Sequence, residues 1–138
     1  METTAISPEL SKNFHLFWDN YPFPVMLVRK DRTIVALNKV ATALGCVPGT
    51  RCVDIGKKED HCGCLANQAL KEQEAKRVVA YQASYNMVLD SYWIPLAGVD
   101  DLYLHFSADI TEYAAERMFP AKECGEAKEG CSCSCSES

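Results

Sequence analysis

Four cysteines lie close together near the middle of the chain, at Cys46, Cys52, Cys62 and Cys64. Four thiolates are a complete ligand set for tetrahedral zinc or for an iron–sulfur cluster. Gly63 separates the last two cysteines, and a glycine there would let both sulfurs turn towards one centre. The spacing therefore predicts that this stretch, the cysteine segment (46–64), binds zinc or an iron–sulfur cluster through its thiolates.

Two other interpretations of the same four cysteines stay open. Buried cysteine is a common small core residue, and Cys46 is the most plausible member of that class here. Alternatively, Cys62 could pair with Cys52 or Cys64 in a disulfide that forms on oxidation, which would make a thiol switch. Metal binding is the interpretation that we carry forward from the sequence.

A second group of four cysteines lies near the end of the chain, at Cys124, Cys131, Cys133 and Cys135. After Phe119 the sequence has almost no large apolar residue, so we expect residues 119–138 to form a disordered Cys-rich tail. Closely spaced cysteines are typical of soft-metal binding, although reversible disulfides or delivery of a metal to a partner would fit as well. The tail and the cysteine segment could also share one metal site.

Composition limits the class of protein. A chain of 138 residues, 48% apolar and 24% charged, is typical of one soluble globular domain. The net charge of −5 argues against nucleic-acid binding. No apolar run could span a bilayer and no signal peptide is recognisable, so we expect a cytoplasmic protein without membrane contact. Eight cysteines in a reducing compartment favour metal or redox chemistry, and no catalytic motif indicates an enzyme.

The first predicted element is an amphipathic helix within residues 1–22. Ser7 is a good N-cap, and Pro8 suits the first helical position. The apolar positions that recur at helical spacing are Leu10, Phe14, Phe17 and Trp18. We expect this face either to cover the sheet edge of its own domain or to pair with the same helix of a second copy.

Two predicted strands precede the cysteine segment and three follow it. The strands are expected at 25–28, 33–37, 77–83, 86–96 and 102–110. Asn38 is expected to cap a short helix over 39–44, and further helices are expected over 64–75 and 112–118. Strands on both sides of a helical middle predict an α+β fold with one antiparallel sheet.

The three histidines receive mainly structural interpretations. The alternation in 102–110 places Tyr103 and His105 on a polar face, so His105 is predicted to be solvated. His61 lies beside a charged loop and is interpreted as a surface residue, with a metal or haem ligand as the alternative. His15 is predicted on the outer side of the first helix.

Parts of this sequence resemble the PAS family. The stretch VRKDRTIVALNKVATALG resembles the family's opening hairpin and its Asn-x-Ala-x-x-x-Leu-Gly helix, with Asn38 as the first residue of that motif. The stretch SYWIPLAGVDDLYLHFSADIT resembles the closing strand pair and ends in the Asp-Ile-Thr that follows many PAS domains. One departure is Arg32, which stands where a glycine is common. The resemblance covers residues 23–118 and implies a five-stranded antiparallel sheet with short helices on one face.

The resemblance also implies a sensory or interaction module. PAS domains bind haem, flavin, metabolites or metal clusters, and the Asn-Cys-Arg-Phe run of flavin photosensors is absent from this sequence. Gly49-Thr50-Arg51-Cys52 and Cys62-Gly63-Cys64 resemble a cysteine-bearing PAS subset. Some histidine kinases of this kind hold a 4Fe–4S cluster with four PAS cysteines, although usually in Cys-x-x-Cys pairs.

These implications define the functional prediction. We expect a stand-alone sensor that binds an iron–sulfur cluster or zinc and passes a redox, oxygen or metal signal to an effector or kinase by protein contact. A homodimer through the first helix is the expected assembly. A soft-metal carrier that uses the tail, and a PAS module that binds haem or a small apolar ligand, are the alternatives.

Overall fold

The computed structural model describes residues 6–120, and its main element is one five-stranded antiparallel sheet in the order β2-β1-β5-β4-β3. The strands are β1 (Val25–Arg29), β2 (Ile34–Leu37), β3 (Lys76–Gln82), β4 (Met87–Pro95) and β5 (Leu102–Asp109). The predicted α+β architecture is confirmed, with strand ends that differ by at most one residue. The tail cysteines, Cys124, Cys131, Cys133 and Cys135, lie outside the described residues.

Three α-helices accompany the sheet: α1 (Pro8–Trp18), α2 (Lys39–Ala43) and α3 (Ala66–Glu72). Short 3₁₀ turns lie at Cys52–Asp54, Lys58–His61, Thr111–Tyr113 and Glu116–Met118. Within residues 6–120, no helix combines the length and the apolar character that crossing a bilayer requires.

Each face of the sheet packs against its own apolar cluster. On β5, Leu102 and Leu104 belong to the cluster that includes Phe14 of α1. Tyr103, which points to the other face, belongs to the cluster that includes Leu70 of α3 and Cys52 of the cysteine segment. The sheet therefore separates α1 on one side from α3 and the cysteine segment on the other.

Helix α1 packs against the sheet of its own domain, which confirms the first of the two interpretations. The Ser7 side chain accepts a hydrogen bond from Leu10 N at 3.1 Å, so the predicted cap is also confirmed. Phe14 is only 5% exposed, but Phe17 is 76% exposed, and its assignment to the buried face was wrong. The buried stripe follows the i, i+4 series of Leu10, Phe14 and Trp18, so Phe17 falls beyond its edge.

The buried side chain of Asn38 connects three elements. Its Oδ1 accepts hydrogen bonds from Ala41 N at 3.1 Å, which is the predicted cap of α2, and from Val25 N at the start of β1 at 3.0 Å. Its Nδ2 donates to Trp18 O at 3.0 Å and to Phe23 O at 2.9 Å. The end of α1, the start of β1 and the start of α2 are thus fixed by one amide.

The helix predicted over 64–75 is shorter than expected. It begins only at Ala66, because Cys64 N donates to His61 O at 3.1 Å and so continues the preceding turn. It ends at Glu72, because Gln73 adopts a left-handed conformation with φ of 53°. The Cys-x-Cys pair therefore lies in the turn before α3 and not in its first turn.

The α-helix predicted over 112–118 was also wrong, since the structure has two 3₁₀ turns there. Thr111 Oγ1 accepts a hydrogen bond from Val88 N at 2.9 Å, which holds the first turn against β4. Tyr113 N then donates to Ile110 O at 2.8 Å, the i to i−3 pattern of a 3₁₀ turn. Ala114 is extended, with ψ of 142°, and separates the two turns.

Replacing Asn38 with alanine should lower the free energy of unfolding by about 3 kcal/mol, because two buried N–H groups and two carbonyls lose their partner. Urea denaturation followed by circular dichroism measures the change. Asn13→Ala, on the exposed side of α1, is the control and should change stability by less than about 0.5 kcal/mol. Equal effects of the two substitutions would contradict the role assigned to Asn38.

Candidate functional site

The cysteine segment enters the fold as an extension of the sheet edge. Gly49 N donates to Ile34 O at 2.8 Å, and Ile34 N donates to Thr50 O at 2.9 Å. Cys52 N then donates to Arg32 O at 2.8 Å. These hydrogen bonds continue the antiparallel pairing beside β2, so the backbone fixes where the Cys52 side chain enters the core.

Three of the four predicted cysteines reach the same core cluster as thiols. Cys52 is 8% exposed, and Cys46 and Cys64 pack against the same cluster while partly buried. Burial raises the pKa of the Cys46 thiol. Cys62 is partly buried and disulfide-bonded, so in this structure the set offers three thiols and one disulfide sulfur.

Tyr103 lies at the centre of this cluster, although the sequence placed it on a polar face. It is 1% exposed, and its hydroxyl lies 3.9 Å from Cys52 Sγ. Burial, followed by the negative charge that Cys52 would carry, raises the pKa of Tyr103 well above its ordinary value, while the positive charge of Arg32 opposes the shift. Cys64 contributes in the same direction as Cys52, so both thiols lie within electrostatic reach of one buried phenol.

Arg32 is a functional candidate that the sequence reasoning missed. Its backbone φ is 78°, a left-handed conformation that residues other than glycine rarely adopt. Its side chain is 0% exposed, which is unusual for a charged residue. Its guanidinium donates to Lys30 O and to Asn67 Oδ1, both at 2.6 Å, and lies 5.9 Å from the centre of the Tyr103 ring. The only sequence signal was the departure from the glycine that is common at this position.

His105 was predicted to be solvated, and this was wrong. Its ring stacks on Trp93 with centroids 4.9 Å apart, and its Nδ1 lies 2.9 Å from Tyr92 O. A carbonyl can only accept, so Nδ1 carries the proton and Nε2 keeps the lone pair. Desolvation by burial lowers the pKa of His105 to about 4, so the ring is neutral at pH 7. The alternation of apolar and polar residues in β5 led to the wrong prediction for His105, because helices cover this face of the sheet as well.

The other two histidines have local structural roles. His61 is partly buried, and its Nε2 lies 2.7 Å from Ile55 O, which ties the two ends of a loop together. The surface interpretation of His61 was therefore wrong, while its alternative role as a ligand stays a prediction. His15 is exposed and its Nδ1 lies 2.8 Å from Asp19 Oδ1, which confirms its place on the outer side of α1.

Asp60 anchors the charged part of the cysteine segment, a role that sequence reasoning missed because Asp60 looks like any acidic residue in a charged loop. Its carboxylate accepts hydrogen bonds from Lys57 N at 3.0 Å and from Ser84 Oγ at 2.5 Å. Burial raises the pKa of Asp60, but these hydrogen bonds and nearby positive charges outweigh it, so the pKa lies below its ordinary value. The segment is thus attached to the turn between β3 and β4.

A preformed metal centre is not found in the part of the chain that the structure describes. Among residues 6–120, no three His, Cys, Asp or Glu side chains are grouped closely enough to hold a metal ion. The sulfurs of Cys46, Cys52, Cys62 and Cys64 have the right chemistry for zinc or an iron–sulfur cluster but do not fit one as arranged here. Their role as ligands stays a prediction.

Comparison with sequence families and curated proteins gives no relative, since no protein-family model and no curated protein matches the chain. Solved structures do match. The chain is similar to the sensory box sensor histidine kinase from Vibrio cholerae, with 18% identity and a TM-score of 0.55 over 75% of this chain and 87% of that one.

Two further solved structures show the same similarity. A domain of an HTR-like protein from Haloarcula marismortui has 22% identity and a TM-score of 0.52, over 65% of this chain and 99% of that one. The PAS domain of BvgS from Bordetella pertussis has 17% identity and a TM-score of 0.50, over 76% and 88%. At such low identity the similarity shows the fold alone, and the fold is PAS-like.

Acidification should destabilise the protein through His105. The pKa of His105 is about 4 in the folded protein against an ordinary value of 6.5, so between these values the unfolded chain binds the proton and the folded chain does not. The free energy of unfolding therefore has its full value above about pH 6.5, where His105 is neutral in both states. It falls by up to about 3 kcal/mol as the pH is lowered towards 4. Urea denaturation at pH 7, 5.5 and 4.5 measures this dependence.

The control separates His105 from other titrating groups. His105→Gln should flatten the dependence between pH 6.5 and pH 4.5, whereas His15→Gln, on the exposed side of α1, should leave it unchanged. An unchanged slope in His105→Gln would contradict the assignment.

Proposed function

We propose that this chain is a sensor module of PAS-like fold whose input is the chemical state of the cysteine segment. The observation that carries the proposal is the convergence of Cys46, Cys52 and Cys64 on one core cluster beside the buried Tyr103. The segment is also part of the sheet edge, so a change at its sulfurs acts directly on backbone that pairs with β2.

The proposed input is binding of an iron–sulfur cluster, or of zinc, through Cys46, Cys52, Cys62 and Cys64. The thiolate chemistry and the loop-rich backbone of the segment support it. Because Cys62 is disulfide-bonded and these sulfurs are not grouped as a centre in the described residues, binding requires a thiol reductant to break that disulfide and the segment to rearrange. That rearrangement is the proposed signal, and an effector or kinase would receive it by protein contact, without catalysis by this chain.

Thiol oxidation is the second candidate input, and the packing of Cys52 and Cys64 in one core cluster favours it. Two thiols and one hydroperoxide would give one disulfide, one alcohol and one water. The sulfurs lose two electrons in this step, and the peroxide O–O bond is broken. This input needs no metal and would change the same segment.

Anaerobic purification followed by iron, sulfide and zinc analysis distinguishes these inputs. We expect iron and sulfide in similar amounts with broad absorption near 400 nm for a cluster, or zinc without colour for a zinc site. A Soret band would indicate haem instead. Protein without metal would leave thiol oxidation as the input.

Matched variants locate any metal that is found. Cys52→Ser with Cys64→Ser should remove one centre per chain, because these thiols lie in the core cluster. Serine at all four tail cysteines, Cys124, Cys131, Cys133 and Cys135, should keep that centre. The opposite result, with metal lost only from the tail variant, would indicate a soft-metal carrier and contradict the sensor proposal.

The exposed side of α1 is the proposed contact with a second copy. Leu16 and Phe17 are 72% and 76% exposed, although both are large and apolar. Leu16→Asp with Phe17→Asp should convert a dimer to a monomer in sedimentation velocity, since the charges cannot be buried without partners. Lys71→Asp, exposed on α3 on the opposite side of the sheet, makes the same charge change and is the control that should leave the dimer intact. A monomeric wild-type chain would contradict the contact.

A further inference from the structure

The cysteine segment is attached to the turn between β3 and β4 by two hydrogen bonds that both use Asp60. Ser84 Oγ in the turn donates to Asp60 Oδ1 at 2.5 Å. Gln82 Nε2, at the end of β3, donates to Asp60 O at 3.1 Å. The turn therefore holds the side chain of Asp60, and the end of β3 holds its backbone carbonyl.

Asp60 is held equally firmly on the side of the cysteine segment. Its Oδ2 accepts from Lys57 N at 3.0 Å, which closes the 3₁₀ turn that leads to Cys62. Gly56 packs so closely that a Cβ there would lie 2.7 Å from Asp60 Oδ2 and 3.4 Å from the Tyr85 hydroxyl. The carboxylate thus occupies a fixed place between the segment and the turn, two residues before the Cys-x-Cys pair.

We propose that Asp60 is a positioning residue that couples the cysteine segment to the β3–β4 turn (83–86), so that a change of state at the cysteines moves this turn. The proposal rests on the proposed function for its physiological input. The coupling itself is a property of the fold and can be tested without any bound group.

The β3–β4 turn is exposed, so a conformational change of the cysteine segment that moves the turn alters the protein surface. The turn lies at the end of a two-stranded extension of the sheet, and residues 83–86 are exposed. Tyr85 N donates to Gln82 O at 3.2 Å, and Asn86 N donates to Ala83 O at 3.3 Å. These two amides report the state of the turn, because their hydrogen exchange accelerates when the turn opens.

The first test breaks the link from the side of the turn. Ser84→Ala removes the hydroxyl, while Ser84→Thr keeps it, and both substitutions are on the surface and leave the core intact. Hydrogen exchange of the reduced full-length chain is measured by mass spectrometry or NMR. In Ser84→Ala we expect the Asp60 and Cys62 amides to exchange roughly tenfold faster, since a hydrogen bond to a charged acceptor is lost. Ser84→Thr should match the wild type.

The second test perturbs the cysteine segment directly. Gly56→Ala places a methyl group 2.7 Å from Asp60 Oδ2 at a residue whose φ is 72°, so the carboxylate and the Gly56 backbone must both adjust, and exchange at Tyr85 and Asn86 should accelerate. Adding Ser84→Ala should abolish this additional effect, so the two substitutions are not additive. Amides of β5 serve as the internal reference for global unfolding.

The outcomes decide between coupling and simple local packing. The proposal is overturned if Ser84→Ala leaves the Asp60 and Cys62 amides unchanged, or if Gly56→Ala acts on the turn equally with and without Ser84. A separate measurement adds zinc to the wild-type chain. Faster or slower exchange in both the segment and the turn supports both proposals, whereas no change in either rejects zinc as the input and leaves the coupling to be judged by the substitutions.

Discussion

The structure depends first on the hydrogen bonds of Asn38. A buried amide side chain can use all its donors and acceptors only where several backbone groups converge, and here they come from the end of α1, the start of β1 and the start of α2. The residue stands directly after β2, so the opening hairpin, the helix outside the sheet and the first helix on the opposite side share one fixed point. The positions of both core clusters follow from it.

The two faces of the sheet differ in the side chains that they bury. The cluster on the face towards α1 is formed by apolar and aromatic side chains, and its contacts stabilise the domain. The opposite face holds three polar and ionisable groups: Tyr103, whose hydroxyl lies 3.9 Å from Cys52 Sγ; Arg32, which lies over the Tyr103 ring; and His105, which stacks on Trp93. Buried polar groups require partners, and each of these three has hydrogen-bond or ring contacts that hold its orientation.

Local signals in the sequence were sufficient for most of the fold. Ser7 and Asn38 have side chains that compete for backbone N–H groups, so their positions as caps could be predicted. The alternation of β5 was visible too, but its meaning depends on what covers each face, and no local pattern contains that. Tyr103 and His105 were therefore misplaced. Arg32 and Asp60 were missed because their roles come from partners far away in sequence, Asn67 and Ser84.

The position of the two tryptophans has a practical consequence. The chain contains only Trp18 and Trp93, and each belongs to a different apolar cluster, one on either face of the sheet. Indole emission responds to the polarity and motion of its surroundings, so each layer of the domain has an intrinsic fluorophore. With Trp18 replaced by phenylalanine, the emission of Trp93 would follow the cysteine side alone in real time and without a label.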